Sequence, residues 1–333
     1  MLLSDFHYPL PPELIADRPT QPRDHSRLMV VHRQTQTIEH AHFYDLAKWI
    51  DPEDLLILND TKVIPARLRS GKIEILLLEE TSPRHWIVIG QPGKKLKPGV
   101  RLFLDPLISG VEQVEIEVLK TLPDGTRVIR FFGDVDLQQF GTMPLPPYIE
   151  EARRAHNLPL IQPEDATWYQ PIHAHYDGSV AAPTAGLHFT PELLATFNHA
   201  FVTLHVGLAT FRPVKVEHIE DHEMHTERYT IPENLAERAQ QARRVVAVGT
   251  TTARVLESVP DIHPSTGKTN IYIYPPYKFK RVDALITNFH LPGSSLILLV
   301  AAFMGQELQR RAYEEAIREQ YRFYSYGDAM LIL

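Results

Sequence analysis

Between about Arg67 and Phe132 the sequence changes texture, and that change limits the possible folds more than any other feature. The stretch holds "KIEILLLEE", "HWIVIG", "RLFLDP", "VEQVEIEVLK" and "TRVIRFFG". These runs are short, β-branched or alternating, and Pro-Gly, Lys-Pro-Gly and Pro-Asp-Gly turns split them. Short strands at such close spacing predict a small antiparallel barrel. On either side, apolar strands alternate with helices: "RLMVVHR", "YDLAKWI", "DLLILND", then "PELLATF", "FVTLHVG", "PENLAERAQQARR", "VVAVG", "TTARVLES", "NIYIYP" and "ALITNFH". A long helix is predicted from about Ser294 to Tyr321. Alternation of this kind predicts a mostly parallel sheet covered by helices. The expected architecture is an α/β domain with a mostly parallel sheet, formed by residues 1–65 and 145–333. An antiparallel β-barrel domain, residues 66–144, is inserted into it, and "GTMPLPPYIEEARRA" marks the return.

With 333 residues, both units can bury a core. The chain has no cysteine, which excludes disulfides, thiolate nucleophiles, cysteine-ligated zinc and iron–sulfur clusters. Asp5 and His7 interrupt the apolar start that a signal peptide needs. The longest apolar run, Leu296 to Met304, is too short to span a bilayer. A cytoplasmic, monomeric protein without membrane contact is expected. The net charge of −7 argues weakly against a nucleic-acid partner, but a phosphate backbone responds to local basic patches.

In open α/β sheets, ligands bind beyond the carboxyl ends of the strands. Here "LLIL" runs into Asn59, Asp60 and Thr61, and "FVTL" into His205. "VVAV" runs into Gly249, Thr250 and Thr251, with Arg254 one turn on, and "ALIT" into Asn288 and His290. Each residue alone reads as turn chemistry or a helix cap. Together, on one rim, they predict a site. "SVAAPTAGLHFT", with Thr184, Gly186 and His188, adds small residues and one imidazole before a helix start. "DHEMH" supplies His222, Glu223 and His225. Two residues separate its histidines where the zinc-protease helix has three, so no metal is expected and a proton-transfer pair is. "PSTGKTN" fails as a phosphate loop because Ile262 stands where the first glycine belongs. Basic residues cluster at Arg67 to Lys72, at Lys94, Lys95 and Lys97, and at Lys278, Lys280 and Arg281 among aromatics, a pattern that suits RNA.

Several longer stretches carry a resemblance: "NDTKVIPARL", "MPLPPYI", "GSVAAPTAGLHFT", "FVTLHVGLATFRPV", "IEDHEMHTERY", "AVGTTTARVLES", "IYIYPPYKFKRVDALITNFHLPGSSLILLVAAFMG" and "YRFYSYGDAMLI". In order, from Asp5 to the C-terminus, the set resembles the S-adenosylmethionine:tRNA ribosyltransferase-isomerase family. That resemblance implies an α/β domain with an inserted β-barrel. It also implies S-adenosylmethionine as a ribosyl-donor co-substrate and, as partner, a tRNA with 7-aminomethyl-7-deazaguanine at the wobble position. The ribosyl part is transferred and rearranged to give epoxyqueuosine, and adenine and methionine leave.

His188, His205, His222, Glu223, His225 and His290 are then the expected proton-transfer residues. Asn59, Asp60, Thr61, Arg67, Thr184, Gly186, Gly249, Thr250, Thr251, Arg254 and Asn288 are expected to bind substrate. Lys94, Lys95, Lys97, Lys278, Lys280 and Arg281 are expected to contact tRNA. Thr184 is expected to donate a hydrogen bond and the helix opened by Thr190-Pro191 to hold an oxygen of the cofactor. Replacing His188 is expected to cost turnover far more than stability. The chain departs from the family pattern in a connection about five residues shorter before "FVTLHVG", and in His173 and Tyr176-Asp177 where a Tyr and a Glu-Pro are expected. Two other readings predict different products. A binding protein would show no dependence on S-adenosylmethionine, and a methyltransferase would release S-adenosylhomocysteine.

Overall fold

The computed structural model describes residues 1–207 and 214–333. Residues 208–213, within "FVTLHVGLATFRPV", lie outside the described residues. The chain begins with β1 (Arg27–His32), β2 (Thr37–His42), β3 (Leu55–Asn59) and β4 (Thr61–Val63). Next come β5 (Arg67–Ser70), β6 (Ile73–Ser82), β7 (His85–Gln91), β8 (Arg101–Leu104), β9 (Val114–Thr121) and β10 (Arg127–Phe131). Then follow α1 (Leu137–Phe140), α2 (Pro147–Ala155), α3 (Asp165–Trp168), β11 (Tyr176–Ser179), α4 (Pro191–Leu194) and β12 (His199–Leu204). The last third holds β13 (Glu227–Ile231), α5 (Leu235–Gln241), β14 (Val245–Val248), α6 (Thr250–Ser258), β15 (Ser265–Thr269), β16 (Ala284–Asn288), α7 (Ser295–Met304), α8 (Gln306–Arg318) and β17 (Ala329–Ile332).

The large sheet runs β15-β13-β12-β3-β14-β16-β17-β1-β2. Its centre, β12-β3-β14-β16, is parallel, and antiparallel strands finish both edges. The centre is buried on both faces because its strands are apolar throughout. Leu55, Ile57, Ala247 and Leu285 point into a core shared with α6, α7 and α8. Leu56, Leu58, Val246 and Ile286 point the other way, against Phe43, Phe189, Leu194 and Phe197. The connection after β14 therefore crosses one face through α6. The connection entering β12 crosses the opposite face through α4. The crossovers change sides between β3 and β14, which makes that pair the topological switch point of the sheet.

The six strands of the middle stretch form an antiparallel sheet, order β5-β6-β7-β10-β9-β8. It curls until the Asp105 N–H donates to the Arg69 carbonyl at 2.8 Å, linking its two edge strands into a nearly closed barrel. Ile75, Leu77, Val88, Ile116, Val118 and Ile129 fill its interior. The chain enters at Pro65 and leaves at Gly141. These points touch: a Cβ built on Gly141 would sit 1.8 Å from the Pro65 carbonyl oxygen. Gly141→Ala is expected to lower unfolding stability by about 1–3 kcal/mol, because backbone must move to admit the methyl. Thermal unfolding checks this, and an unchanged melting temperature would contradict it.

Three predicted elements differ. The helix expected over 294–321 is two helices, because Gly305 adopts φ 89° between α7 and α8 and turns the chain there. "NIYIYP" is not a strand. Ser265–Thr269 takes the place beside β13, and the Tyr272 and Tyr274 rings meet at a tilt with centroids 4.8 Å apart. The helix of "PELLATF" spans only Pro191–Leu194.

Candidate active site

The carboxyl ends of β3, β12, β14 and β16 form one rim, and sequence-predicted residues meet there. Asn59 stitches the rim together. Its Nδ2 donates to the Leu204 carbonyl at 2.9 Å and reaches Thr251 Oγ1 at 3.5 Å, and its Oδ1 accepts from the Leu204 N–H at 3.0 Å. Those bonds tie β12, β3 and the start of α6 together. At the switch point lies a small cavity of about 40 Å³, lined by Thr184, Gly249, Thr250, Asn288 and His290 among others. Gly249 has φ 92°, which lets β14 turn directly into α6.

A larger cleft of about 730 Å³ opens between the rim and the barrel. His205, Gly207 and Glu227 line it on one side and Leu78, Glu79 and Trp86 on the other. A second cleft, about 720 Å³, is lined by Asp60, Thr203, His205 and Arg238. His205 faces both. Thr61 Oγ1 bonds its Nδ1 at 2.9 Å. Burial, reinforced by Arg228, pushes its imidazole below the usual value, so it is neutral and able to accept a proton at pH 7. Asp60 lies beside it. Burial raises its carboxyl, and Thr203 Oγ1 donates to Oδ1 at 2.6 Å.

Glu227 was not singled out by sequence reasoning, yet it organises the cleft wall. Its side chain is 1% exposed. His225 Nε2 lies 3.2 Å from Oε1, the Gly207 N–H donates to Oε1 at 3.1 Å, and Arg254 Nη1 bonds Oε2. Burial alone would raise this carboxyl. The His225 bond and the Arg254 charge outweigh burial and hold it at about 2, from an ordinary 4.5. His225 is therefore oriented by Glu227, not by the neighbouring Glu223, which is exposed. Arg254, expected to bind substrate, is buried; its Nη1 bonds Glu227, its Nε lies 3.3 Å from the Ile271 carbonyl, and among the described residues its Nη2 meets no partner. His222 meets Tyr272 edge-on at 5.1 Å. Among the described residues no group of three or more His, Asp or Glu side chains could hold a metal.

His188 and His290 lie deeper than a proton-transfer role needs. Ser26 Oγ lies 2.8 Å from His188 Nδ1, Asn288 Nδ2 lies 3.1 Å from its Nε2, and Phe43 stacks on the ring at 5.0 Å. Burial, with Arg322 and Arg23 nearby, pushes His188 down to about 3. Burial pushes His290 to about 3 as well, and its Nε2 meets Thr287 Oγ1 at 2.8 Å. Both ring nitrogens of His188 are thus occupied, by Ser26 and Asn288. The expectation for its replacement changes accordingly: His188→Ala leaves Ser26 Oγ without a partner and Asn288 Nδ2 with the Tyr324 carbonyl alone, and lowers the melting temperature together with turnover. Full stability in scanning fluorimetry would contradict this.

Other predicted residues lie elsewhere. Arg67 binds Glu150 and the Leu145 carbonyl, tying the barrel base to α2, away from the rim. Gly186 packs under His173, where a Cβ would sit 2.9 Å from the ring. The start of α4 is already capped by Thr190 Oγ1, which accepts from the Leu193 N–H at 3.2 Å beside the Asp24 carboxylate at 3.4 Å. The Asp24 carboxylate there disfavours an anionic oxygen at that end. Lys94, Lys95 and Lys97 are exposed on the barrel. Lys278 and Lys280 are exposed on a separate loop whose Lys280, Arg281 and Val282 N–H groups all donate to the Glu257 carboxylate at 2.8–3.2 Å. Arg281 is paired with Asp261 at 2.6 Å.

A mixed α/β sheet with polar residues at its switch point, a facing cleft and an attached small barrel describes a class of ligand-binding α/β protein. The sequence matches the family described as Queuosine biosynthesis protein over residues 3–332, and the chain belongs to that family. It is 49% identical over 352 residues to the S-adenosylmethionine:tRNA ribosyltransferase-isomerase of Thermotoga maritima, with 100% of both chains covered. It is 47% identical over 356 residues to the protein of that name from Acetivibrio thermocellus, again over 100% of both. A crystal structure of S-adenosylmethionine tRNA ribosyltransferase from Thermotoga maritima is similar, with TM-score 0.56 and 40% sequence identity. That match covers 99% of this chain and 100% of the other.

Proposed function

We propose that this chain transfers and isomerises the ribosyl part of S-adenosylmethionine onto 7-aminomethyl-7-deazaguanine at the wobble position of a tRNA. Adenine and methionine leave, and epoxyqueuosine is formed. The observation that carries the reading is full-length similarity to enzymes of that name, in a chain whose rim offers neutral imidazole and buried carboxylate beside a large cleft.

The chemistry needs little more than placed proton carriers. A sulfonium makes the adjacent C5′ protons acidic, so a neutral base can remove one. His205, which opens on both clefts, is placed for that task. His225, held by Glu227, suits proton return to departing adenine or removal of a proton from the substrate's aminomethyl group. In this reading the barrel, residues 66–144, is a unit inserted into the α/β domain of residues 1–65 and 145–333. Its exposed lysines and the rigid loop of Lys278 and Lys280 track the tRNA backbone. We take the chain to act as a cytoplasmic monomer.

Two experiments test this. With S-adenosylmethionine and tRNA carrying the precursor base, free adenine is expected, and S-adenosylhomocysteine in its place would mean methyl transfer. Replacing Lys94, Lys95 and Lys97 by alanine is expected to weaken tRNA binding and flatten its salt dependence by about 0.7–0.9 in log–log slope per lost phosphate contact. An unchanged slope would put the tRNA elsewhere.

A further inference from the structure

The small cavity at the switch point differs in character from the two large clefts. Among the described residues no charged side chain lines it. Its volume of about 40 Å³ compares with the ~10–15 Å³ one water needs, so it takes a few heavy atoms and no purine ring.

The hydrogen-bond directions around it are fixed by one carbonyl. Asn288 Nδ2 lies 3.1 Å from the Tyr324 carbonyl, which can only accept, so that end of the amide is the NH₂. The same Nδ2 faces His188 Nε2, so Nε2 accepts. The neutral ring then carries its proton on Nδ1 and donates to Ser26 Oγ. Asn288 Oδ1 in turn accepts the Thr184 hydroxyl proton at 3.0 Å. Thr184 has no proton left for the cavity and presents only lone pairs to it. It is therefore an acceptor toward a ligand, the reverse of the sequence expectation.

The same cavity is lined by Thr250 and Thr251 at the N-terminus of the nine-residue helix α6. First-turn N–H groups have no acceptor within a helix. Thr250 is 6% exposed, and among the described residues its hydroxyl makes no hydrogen bond. The cavity thus joins an obligate acceptor to unspent donors without net charge. A zwitterion fits that pattern, with its cation on Thr184 Oγ1 and its anion on Thr250 and the α6 N-terminus. A free phosphate fits less well, since among the described residues no cation lines the walls.

We propose that this cavity binds the α-amino-acid end of S-adenosylmethionine, leaving the adenosyl part to extend toward the large cleft. The inference rests on the reading that S-adenosylmethionine is the substrate. It makes Thr184 and Thr250 specificity residues and Asn288, oriented by the Tyr324 carbonyl, the residue that sets the direction of Thr184.

Titration calorimetry on the full chain tests it with S-adenosylmethionine, 5′-methylthioadenosine, which lacks the amino-acid end, and methionine. Thr250→Val keeps shape and removes the hydroxyl. It is expected to weaken S-adenosylmethionine about tenfold and methionine in parallel, with methylthioadenosine unchanged. Thr184→Val is expected to act likewise, and Thr184→Ser to restore binding. Equal weakening of S-adenosylmethionine and methylthioadenosine, or no weakening of either, with adenine release by the unmodified chain intact, would overturn the subsite alone. Failure of the unmodified chain to bind S-adenosylmethionine would overturn the subsite together with the functional reading.

Discussion

Glutamine in place of Glu227 is expected to lower the stability of the folded chain by about 3–5 kcal/mol at neutral pH, the cost of leaving one member of a buried ion pair uncompensated. Arg254 would be that member, since it is 2% exposed and its Nη1 bonds Glu227. The effect depends on pH in a definite direction. The folded-state carboxyl sits at about 2, below its ordinary 4.5, so its stabilising contribution is complete above pH 4.5 and disappears as pH falls through about 2. The penalty of Glu227→Gln should therefore shrink across that window. His188 and His290, both held near 3 against an ordinary 6.5, act over a higher range. They stay neutral in the folded state while the unfolded chain takes up protons below pH 6.5. Each thus contributes up to about 1.4 kcal/mol of destabilisation per pH unit between those values. Chemical denaturation at stepped pH checks both effects. A Glu227→Gln penalty that does not change between pH 7 and pH 3 would contradict the assignment.

Loss of the His205 imidazole is expected to reduce turnover about 10²–10⁴-fold, the usual worth of a placed proton carrier, with little change in melting temperature. His205 is half-buried, and its ring bonds Thr61 Oγ1, so its removal leaves no buried charge behind. Gly178 leaves room for the ring, since a Cβ there would sit 2.9 Å from it. Because burial and Arg228 lower the imidazole's affinity for protons, the acid limb of kcat/KM should fall below the ordinary histidine value. Kinetics of His205→Ala and His205→Gln across pH check this. Full activity in either variant would move the base to another residue.

The rim was legible in the sequence because each central strand ends abruptly in a polar or glycine residue, and parallel strands bring such ends together. Asn59, His205, Gly249 and Asn288 all lie where that rule puts them. Roles were less legible than positions. Whether an imidazole lines a cleft or is sealed beneath it depends on packing from distant segments. Phe43 and Ser26, more than 140 residues before His188, decide it here. Glu227 escaped notice because its partners, Gly207 and Arg254, come from either side in sequence, and "TERYT" reads as an ordinary edge strand. The direction of the Thr184 hydroxyl was not legible because the carbonyl that orients its partner Asn288 belongs to Tyr324, far along the chain. The break at Gly305 was visible in principle, as a lone glycine inside a helical pattern. Ser265–Thr269 gave no apolar signal of the kind that marks a strand.

The most direct measurement is the mass of the wobble nucleoside after the purified chain acts on tRNA carrying 7-aminomethyl-7-deazaguanine with S-adenosylmethionine. The expected result is a nucleoside heavier by one rearranged ribosyl unit, with adenine and methionine released in equal amounts. A nucleoside heavier by a methyl group, or one unchanged while the tRNA stays bound, would contradict ribosyl transfer by this chain.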